Sequence, residues 1–524
     1  MPDSKLQPDW HPRHSPWLIA AGVMMATFME VLDTSIANIA LPHIGGNLSA
    51  TPEEATWVLT SYLVANAIVL PTTGWLANHF GRKRVFISCI AMFTLASMLC
   101  GLAWDLPTLI LARILQGVGG GAMVPIAQSI MLESFPVQKR GAAMAMFAMG
   151  VVVAPILGPT LGGWITDNFS WRWIFYINLP VGVAAIFAAQ WLVEDPPYIR
   201  RNLAATIDYI GFGLLAVWLA TLQILLDKGQ EADWFGAEWV RWFTLISVLS
   251  FIGFIYWEFT TEHPLVDLRV FKNRNFTVGL ILMTSLGAIL YGTTAQLPLF
   301  MQTLMGYPAL QSGYALSPRG IAAFVTTALV GRLVGKMRMK WMLCVGFSLL
   351  AVSSFMLSHV NLQVAPINII WPSIVNGIAI SFIFVPLTTA TMSQLGQRQI
   401  GNATGLYNLM RNLGGSIGIA FVATMLARGA QSHQALLVGH LTPTDPAFAH
   451  RFAAAQHLLA RHAAPVTATR QAYAGVYSLL DQQAHLLAFM DNFYIFGVLA
   501  LCGLPLLFLF KRVTPAAKPV TAAH

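Results

Sequence analysis

The sequence has little charge. Only 10% of its 524 residues are Asp, Glu, Lys or Arg, whereas about a quarter are charged in soluble domains. Hydrophobic residues make up 56% of the chain, and the mean hydropathy is +0.63. A soluble core could not bury this much apolar side chain, which excludes an ordinary soluble protein. Cysteine is also scarce, and the four cysteines lie in or beside apolar blocks, so we expect neither a disulfide framework nor a metal site.

The apolar residues occur in blocks of about 20, the length an α-helix needs to cross a hydrocarbon core roughly 30 Å thick. The first block is too long for a signal peptide and is expected to remain as a membrane helix. The sequence therefore predicts an all-α integral membrane protein with about fourteen transmembrane helices. We place them near 17–40, 56–76, 85–104, 106–131, 141–165, 172–192, 206–226, 239–259, 276–301, 310–335, 341–359, 366–393, 401–427 and 490–510.

Charged residues differ in sign between the loops predicted on the two sides of the membrane, and this holds for nearly every short loop. The net charge of +8 and the pI near 9.4 come from short basic clusters between apolar blocks. This distribution indicates a membrane-topology signal and predicts no nucleic-acid partner. Basic residues retained on the cytoplasmic side place both termini in the cytoplasm. The basic loops contain Arg82, Lys83, Arg84, Lys139, Arg140, Arg200, Arg201, Arg269, Lys272, Arg274, Lys336, Arg338, Lys340, Lys511 and Arg512, and the acidic loops contain Glu53, Glu54, Asp105, Asp167, Glu231 and Asp233.

The chain also contains a weak internal repeat. GWLANHFGRKRVF follows the second predicted helix and GRLVGKMRMKWML follows the tenth, so a glycine and a basic cluster recur. Without two inserted helices, six helices stand on each side, which is how many carriers build a central site. We predict a cytoplasmic N-terminus 1–16, a six-helix half 17–200, an inserted pair 201–260, a second six-helix half 261–510 with an outward loop near 428–488, and a cytoplasmic C-terminus 511–524.

Two carboxylates lie in the first predicted helix, in the stretch MEVLDTSIANIALP. Glu30 and Asp33 are one helical turn apart and share a face, and a carboxylate at this depth is unfavourable unless it is protonated, paired or in a wet cavity. A functional interpretation is a proton-binding site, and the alternative is a structural hydrogen bond between helices. Either residue could be the one that titrates.

Further candidates lie in four other predicted helices. Arg113 stands in an apolar run of the fourth helix and needs an anionic or carbonyl partner, for which a first-helix carboxylate is a candidate. Gly117, in the same helix, favours close packing. Arg319 and Arg411 are possible cavity charges without an assigned role. In the fifth helix, a bend or a close crossing is predicted from Gly158, Pro159, Gly162 and Gly163.

These motifs make the chain resemble the fourteen-helix drug:proton antiporters of the major facilitator superfamily, specifically the Emr-type (EmrB/QacA) exporters. LDTSIANIALP, LARILQGVGGGAMVP and GPTLGG resemble motifs of the first, fourth and fifth helices, and GWLANHFGRKR resembles the superfamily's loop signature. Asn78 stands where that loop motif usually has aspartate. The matching loop positions are Gly74, Gly81, Arg82 and Lys83.

The resemblance implies export of small hydrophobic or amphipathic drugs, driven by inward proton flow, with Asp33 and Arg113 at the coupling positions. It further implies an inner-membrane location, protons as the coupling ion without another cofactor, and a tripartite assembly with a periplasmic adaptor (membrane fusion protein) and an outer-membrane channel. One alternative is a proton-coupled symporter or exporter of a specific metabolite or siderophore on the same fold. A membrane-embedded enzyme is disfavoured because no nucleophile with a nearby base is recognisable.

Overall fold

A computed structural model describes residues 12–136, 139–196, 208–262, 264–334, 336–396, 399–439, 441–442, 445–462 and 464–511. In these ranges the regular structure is helical, apart from one isolated bridge between Val334 and Met337. The long helices are α1 Pro16–Asn47, α2 Glu53–Phe80, α3 Arg82–Leu102, α4 Leu106–Ser134, α5 Arg140–Asn168, α6 Trp173–Leu192, α7 Tyr209–Lys228, α8 Glu238–Thr260, α9 Arg274–Thr303, α10 Ala309–Leu333, α11 Met339–Leu357, α12 Ile367–Met392, α13 Ile400–Val438, α14 Pro446–Leu459 and α15 Pro465–Leu507.

Thirteen helices in the described ranges are long and apolar enough to cross a membrane. The helix α10 adds a fourteenth of 25 residues, made less apolar by its serines, proline and arginine. The predicted all-α fold with about fourteen membrane helices is therefore confirmed. The predicted N-terminal segment up to residue 11, the basic pair Arg200 and Arg201 with the boundary between them, and the C-terminal segment after residue 511 lie outside the described residues.

The ends of two helices were predicted wrongly. The helix α13 continues to Val438 instead of ending near 427, and α15 begins at Pro465 instead of near 490. With 43 residues at about 1.5 Å each, α15 is roughly 65 Å long, so about half of it projects beyond a 30 Å hydrocarbon core. Hydropathy marks where the membrane ends, whereas these two helices continue into the polar outward segment. The helix α14 also lies in this segment.

The chain folds into two halves with the same packing pattern. In the first half α1 packs on α5 and α6, α2 on α4, and α3 on α4 and α6. In the second half the corresponding pairs are α9 with α13 and α15, α10 with α12, and α11 with α12 and α15. The inserted pair α7 and α8 packs mainly on itself. Six-helix halves with equivalent contacts explain why the sequence repeats after α2 and again after α10.

The two halves meet through a symmetric pair of glycine contacts. A methyl group at Gly74 of α2 would lie 2.6 Å from the Cα of Asn402 in α13. Its counterpart, Gly331 of α10, is equally close to Ala145 of α5, where a methyl group would lie 2.6 Å from the Ala145 Cβ. Both glycines belong to the repeated glycine and basic clusters. The helices can approach here because neither glycine carries a side chain.

Direct polar contacts between the halves lie near the loops that carry the basic clusters, which we call the basic end of the bundle; the acidic end is opposite. In the described residues two hydrogen bonds join α4 to α13: Ser129 to Thr404 at 2.7 Å, and Asn408 Nδ2 to Gln128 Oε1 at 2.7 Å. All four residues are buried. The halves are therefore joined at the basic end.

At the acidic end, α7 bridges the two halves. The Nζ of Lys228 donates to the Glu53 carbonyl oxygen of α2 at 3.2 Å, while Gln223 Nε2 donates to Ser416 Oγ of α13 at 2.9 Å. The same two helices, α2 and α13, touch each other directly at Gly74 near the basic end. The inserted pair thus contacts both halves at a level where the described ranges show no direct hydrogen bond between the halves.

Candidate functional site

Asp33 of α1 is bound by side chains from two neighbouring helices. Its Oδ2 accepts a hydrogen bond from Arg113 Nη1 of α4 at 2.7 Å. Its Oδ1 accepts from Gln116 Nε2 at 3.0 Å and from Asn178 Nδ2 of α6 at 2.6 Å. The Asp33 and Arg113 side chains are 1% and 0% exposed. Three donors, one of them in a direct ion pair, compensate the buried carboxylate, which therefore ties α1 to α4 and α6.

Arg113 is held from several directions besides Asp33. Its Nε donates to the Val58 carbonyl oxygen at 3.0 Å, and its Nη1 donates to Gln116 Oε1 at 2.7 Å. The guanidinium carbon lies 4.3 Å from the ring centre of Tyr62, a cation–π distance. The fourth helix thus carries a fixed positive charge whose anion comes from the first helix.

Glu30 lies one turn before Asp33 in a different environment. Its Oε1 accepts from the Tyr62 hydroxyl at 3.1 Å and from Asn66 Nδ2 at 3.2 Å. No Lys, Arg or His nitrogen of the described ranges lies within 4.0 Å of it. The missing side chain of Gly120 leaves room for the donor Tyr62, since a methyl group there would be 2.7 Å from the Tyr62 hydroxyl oxygen. One carboxylate is thus ion-paired, and the other has neutral donors only.

Four polar side chains of this site were missed at the sequence level: Gln116, Asn178, Tyr62 and Asn66. Gln116 had a recognisable signal, because it follows Arg113 by three residues and so shares its helical face. The other three stand in apolar or aromatic runs without a charged neighbour. Only the packing of α2 and α6 against α1 and α4 brings them to the carboxylates.

The glycines of α5 pack against α1, the helix that carries both carboxylates. A side chain at Gly158 would collide with Ser35, and Gly162 also lies against α1. A methyl group at Gly163 would meet nothing within 4 Å in the described structure. The side chain of Pro159 lies outside the described part. The helix remains continuous, so the close crossing predicted for this motif is present.

The loop motif between α2 and α3 forms a second polar site at the basic end. Gly81 adopts φ 91°, a left-handed turn that glycine permits. The next residue, Arg82, is buried and forms an ion pair with Glu133 near the end of α4. The backbone N–H of Lys83 donates to Asp195 Oδ1 at 2.8 Å. The acidic partners Glu133 and Asp195 were not anticipated.

The predicted motif residue Asn78 is exposed, while Gly74, one turn earlier, contacts α13. The two other arginines predicted as cavity charges belong to the second half. Arg319 of α10 and Arg411 of α13 are both buried, at 9% and 5% exposure. Hydrogen-bond partners among the described residues are missing for Arg319 Nη2 and for Arg411 Nε and Nη1. Neither residue belongs to the Asp33 network.

Known proteins are similar to this chain in sequence and in fold. Residues 23–419 match the family described as Major Facilitator Superfamily. The chain is 37% identical over 493 residues to the "Fatty acid resistance protein FarB" of Neisseria gonorrhoeae, covering 93% of this chain and 94% of that protein. It is 38% identical over 432 residues to the "Multidrug export protein EmrB" of Haemophilus influenzae, with coverages of 82% and 84%.

A solved structure, the human organic anion transporter MFSD10 (TETRAN), superposes with a TM-score of 0.60. The alignment covers 94% of this chain and 100% of that one at 11% identity, which shows the shared fold alone. Family, fold and relatives agree with the fourteen-helix arrangement described above. The chain belongs to the Major Facilitator Superfamily and, within it, to the Emr-type multidrug exporters.

Proposed function

We propose that this multi-pass inner-membrane drug exporter is a proton-coupled antiporter, in which inward proton flow drives the export of small hydrophobic or amphipathic molecules. The observation that carries the proposal is the Asp33–Arg113 ion pair, sealed between α1 and α4, with Glu30 one turn away and without an ion-pair partner among the described residues. Buried ionisable groups within a membrane are costly and are typical of proton pathways.

The two carboxylates suit different parts of such a cycle. Protonation of Asp33 would remove the charge that holds Arg113, Gln116 and Asn178, and would loosen α1 from α4 and α6. Because α1 packs on α5, and α5 on α10 of the other half, this change would reach the interface between the halves. Glu30 would bind a proton or a cationic substrate, which exclude each other.

The direction of transport depends on orientation. Both termini are placed in the cytoplasm in this proposal, on the basis of the basic loops. The basic end of the bundle would then be cytoplasmic, and the contacts between α4 and α13 would close the pathway on that side. Protons are the proposed coupling ion.

Inside-out vesicles test the coupling. Addition of a drug should release protons from vesicles that contain the wild-type chain, and drug should accumulate inside them. Asp33→Asn and Arg113→Ala should abolish drug-driven proton movement while the protein still inserts. Arg428→Gln, at an exposed pair with Asp233, is the matched control and should transport normally. Normal antiport by both site variants would refute the proposal. Drug-dependent proton uptake into the vesicles would favour the alternative symporter.

The relatives suggest the class of substrate. One is named for fatty acid resistance and another for multidrug export. We extend both names to this chain as a proposal: its substrates are apolar molecules with or without a charged head group, fatty acids included. Flexible Met and aromatic side chains around a central cavity would accommodate different apolar bodies.

We also propose a tripartite assembly with a periplasmic adaptor and an outer-membrane channel. The supporting feature is the helical projection formed by the ends of α13 and α15 with α14, whose exposed apolar side chains include Leu436, Leu458, Tyr473 and Leu479. A resistance profile measured with and without the cognate adaptor tests this. Equal resistance in both strains would indicate that the chain works alone.

A further inference from the structure

The two halves differ in how their intramembrane charges are compensated. In the first half Arg113 has Asp33 as its anion. In the second half the five helices α9 to α13 contain no Asp or Glu at all, yet they carry Arg319 and Arg411. A guanidinium cannot lose its proton to relieve burial, and a charge in the hydrocarbon region needs a partner or water. The arginines of α9 to α13 therefore have no acidic residue within these five helices to compensate them.

The position of Arg411 on α13 directs it toward the first half. Thr404 and Asn408 precede it by seven and three residues, which places all three on one stripe of the helix. Thr404 and Asn408 hydrogen-bond across the interface to α4. Arg411 is the next position of this stripe toward the acidic end, just beyond the last direct hydrogen bond between the halves.

Glu30 lies in α1 of the other half, at a depth similar to that of Arg411. Arg411 lies 11 residues from the start of α13, about 16 Å from the basic end, and Glu30 lies 14 residues from the start of α1, about 21 Å from the same end. The two charges interact electrostatically, although they form no ion pair within 4.0 Å in the described structure.

Arg319 is placed differently. Four and eight residues further along α10, Ala323 and Thr327 continue its stripe, and Thr327 bonds to Ser381 of α12 at 2.8 Å. That stripe packs within the second half. Of the two arginines, Arg411 is the one that the hydrogen bonds place at the interface between the halves.

We propose that Arg411 binds the carboxylate of an amphipathic acid in the space between the halves, and that Glu30 is the internal anion that competes with this substrate. The proposal rests on the proposed export function and specifies the head-group chemistry of one substrate class. A carboxylate matches the planar donors of a guanidinium, including Nε and Nη1, which have no partner among the described residues. The apolar chain of the acid would lie between the helices that form the interface of the two halves.

The competition has a definite sign. A charged Glu30 attracts Arg411 and repels an incoming carboxylate, whereas a neutral side chain at position 30 leaves Arg411 to the ligand. A cationic amphiphile behaves in the opposite way, because Glu30 attracts it and Arg411 repels it. The groups that surround Glu30 are Tyr62, Asn66, Asp33 and Arg411, and among them only Arg411 comes from the second half.

Equilibrium binding to the full-length protein tests the proposal. The protein is placed in nanodiscs of zwitterionic lipid, and radiolabelled dodecanoate, dodecanol and dodecylammonium are compared after subtraction of binding to empty nanodiscs. Wild type should bind dodecanoate more tightly than dodecanol. Arg411→Gln should weaken dodecanoate binding about ten- to hundredfold, the contribution of a charged hydrogen bond, and leave dodecanol binding unchanged. Arg411→Lys should retain part of the preference.

Glu30→Gln provides a second test that leaves Arg411 intact. It should tighten dodecanoate binding and weaken dodecylammonium binding. Arg428→Gln, on the same helix but exposed, should change neither. The proposal is overturned if wild type shows no preference for dodecanoate, if Arg411→Gln weakens dodecanoate and dodecanol equally, or if Glu30→Gln weakens dodecanoate. If one of these results is obtained and wild type still transports cationic drugs with proton coupling, the proposed function stands. If wild type shows no proton-coupled transport of cationic drugs, the proposed function is refuted separately.

Discussion

Asp33→Asn replaces a carboxylate by an amide of similar size, so it removes one charge and preserves the shape of the site. Arg113 would then be a fully buried cation without an anion among its contacts. Removing one partner of a buried ion pair costs about 3 to 5 kcal/mol. Arg113→Gln in the same chain removes the second charge, so the double variant should regain on the order of 2 kcal/mol relative to Asp33→Asn alone.

The assay is denaturant unfolding in detergent micelles for wild type, both single variants and the double variant. The free energy of unfolding should fall in Asp33→Asn and recover in the double variant, although neither should move protons in vesicles, because the carboxylate proposed to couple proton flow is gone. The exposed pair Arg428 and Asp233, 3.6 Å apart, is a control cycle with little coupling expected. Wild-type stability of Asp33→Asn, or a double variant no more stable than it, would refute the reasoning.

Two further predictions concern the acidic end. Lys228→Met should lower the melting temperature clearly, because the buried Nζ bonds to the Glu53 carbonyl of α2 and to Glu231. Removal of the exposed Arg428 charge should change the melting temperature little. Equal effects of the two changes would show that α7 does not bridge the halves as described. Hydrogen bonds from the Thr108 side chain and backbone hold the pKa of Asp105 below its ordinary value. The Asp105 carboxylate therefore stabilises the start of α4 fully at a pH above its ordinary pKa. This stabilisation is lost as the pH falls through the lowered pKa. The melting temperature of Asp105→Ala should therefore lie below that of wild type at neutral pH, and the pH-dependent part of this difference should disappear in acid; a difference independent of pH would contradict this role.

The fold was predictable because a membrane imposes one simple length on every crossing. Even α10, with Arg319 in its middle, was recognised from the even spacing of apolar blocks and from the sign of its flanking loops. The same signal could not locate the ends of α13 and α15, since a helix that leaves the membrane needs no change in backbone hydrogen bonding. Both helices therefore continue through the polar residues of the outward segment.

The candidate site was predictable only in its charges. Asp33 and Arg113 are conspicuous because ionised groups are rare in apolar runs, and an arginine there requires an anion. Asn178, Tyr62 and Asn66 carry no such mark, since a neutral polar residue is common in membrane helices that pack together. Which of them reaches a carboxylate is decided by the crossing of α2 and α6 over α1, which the sequence of any single helix does not contain.

The distribution of charge between the halves gives the proposed cycle a physical basis. The first half contains both central carboxylates, and α9 to α13 of the second half contain cations only. Any motion that changes the distance between α1 and α13 then changes the attraction between Glu30 and Arg411. A ligand or proton shifts an equilibrium only through its different affinity for two states, and neutralising either charge would remove this attraction between the halves. An amphipathic acid on Arg411 and a proton on Glu30 would act on this one interaction from opposite sides of the interface.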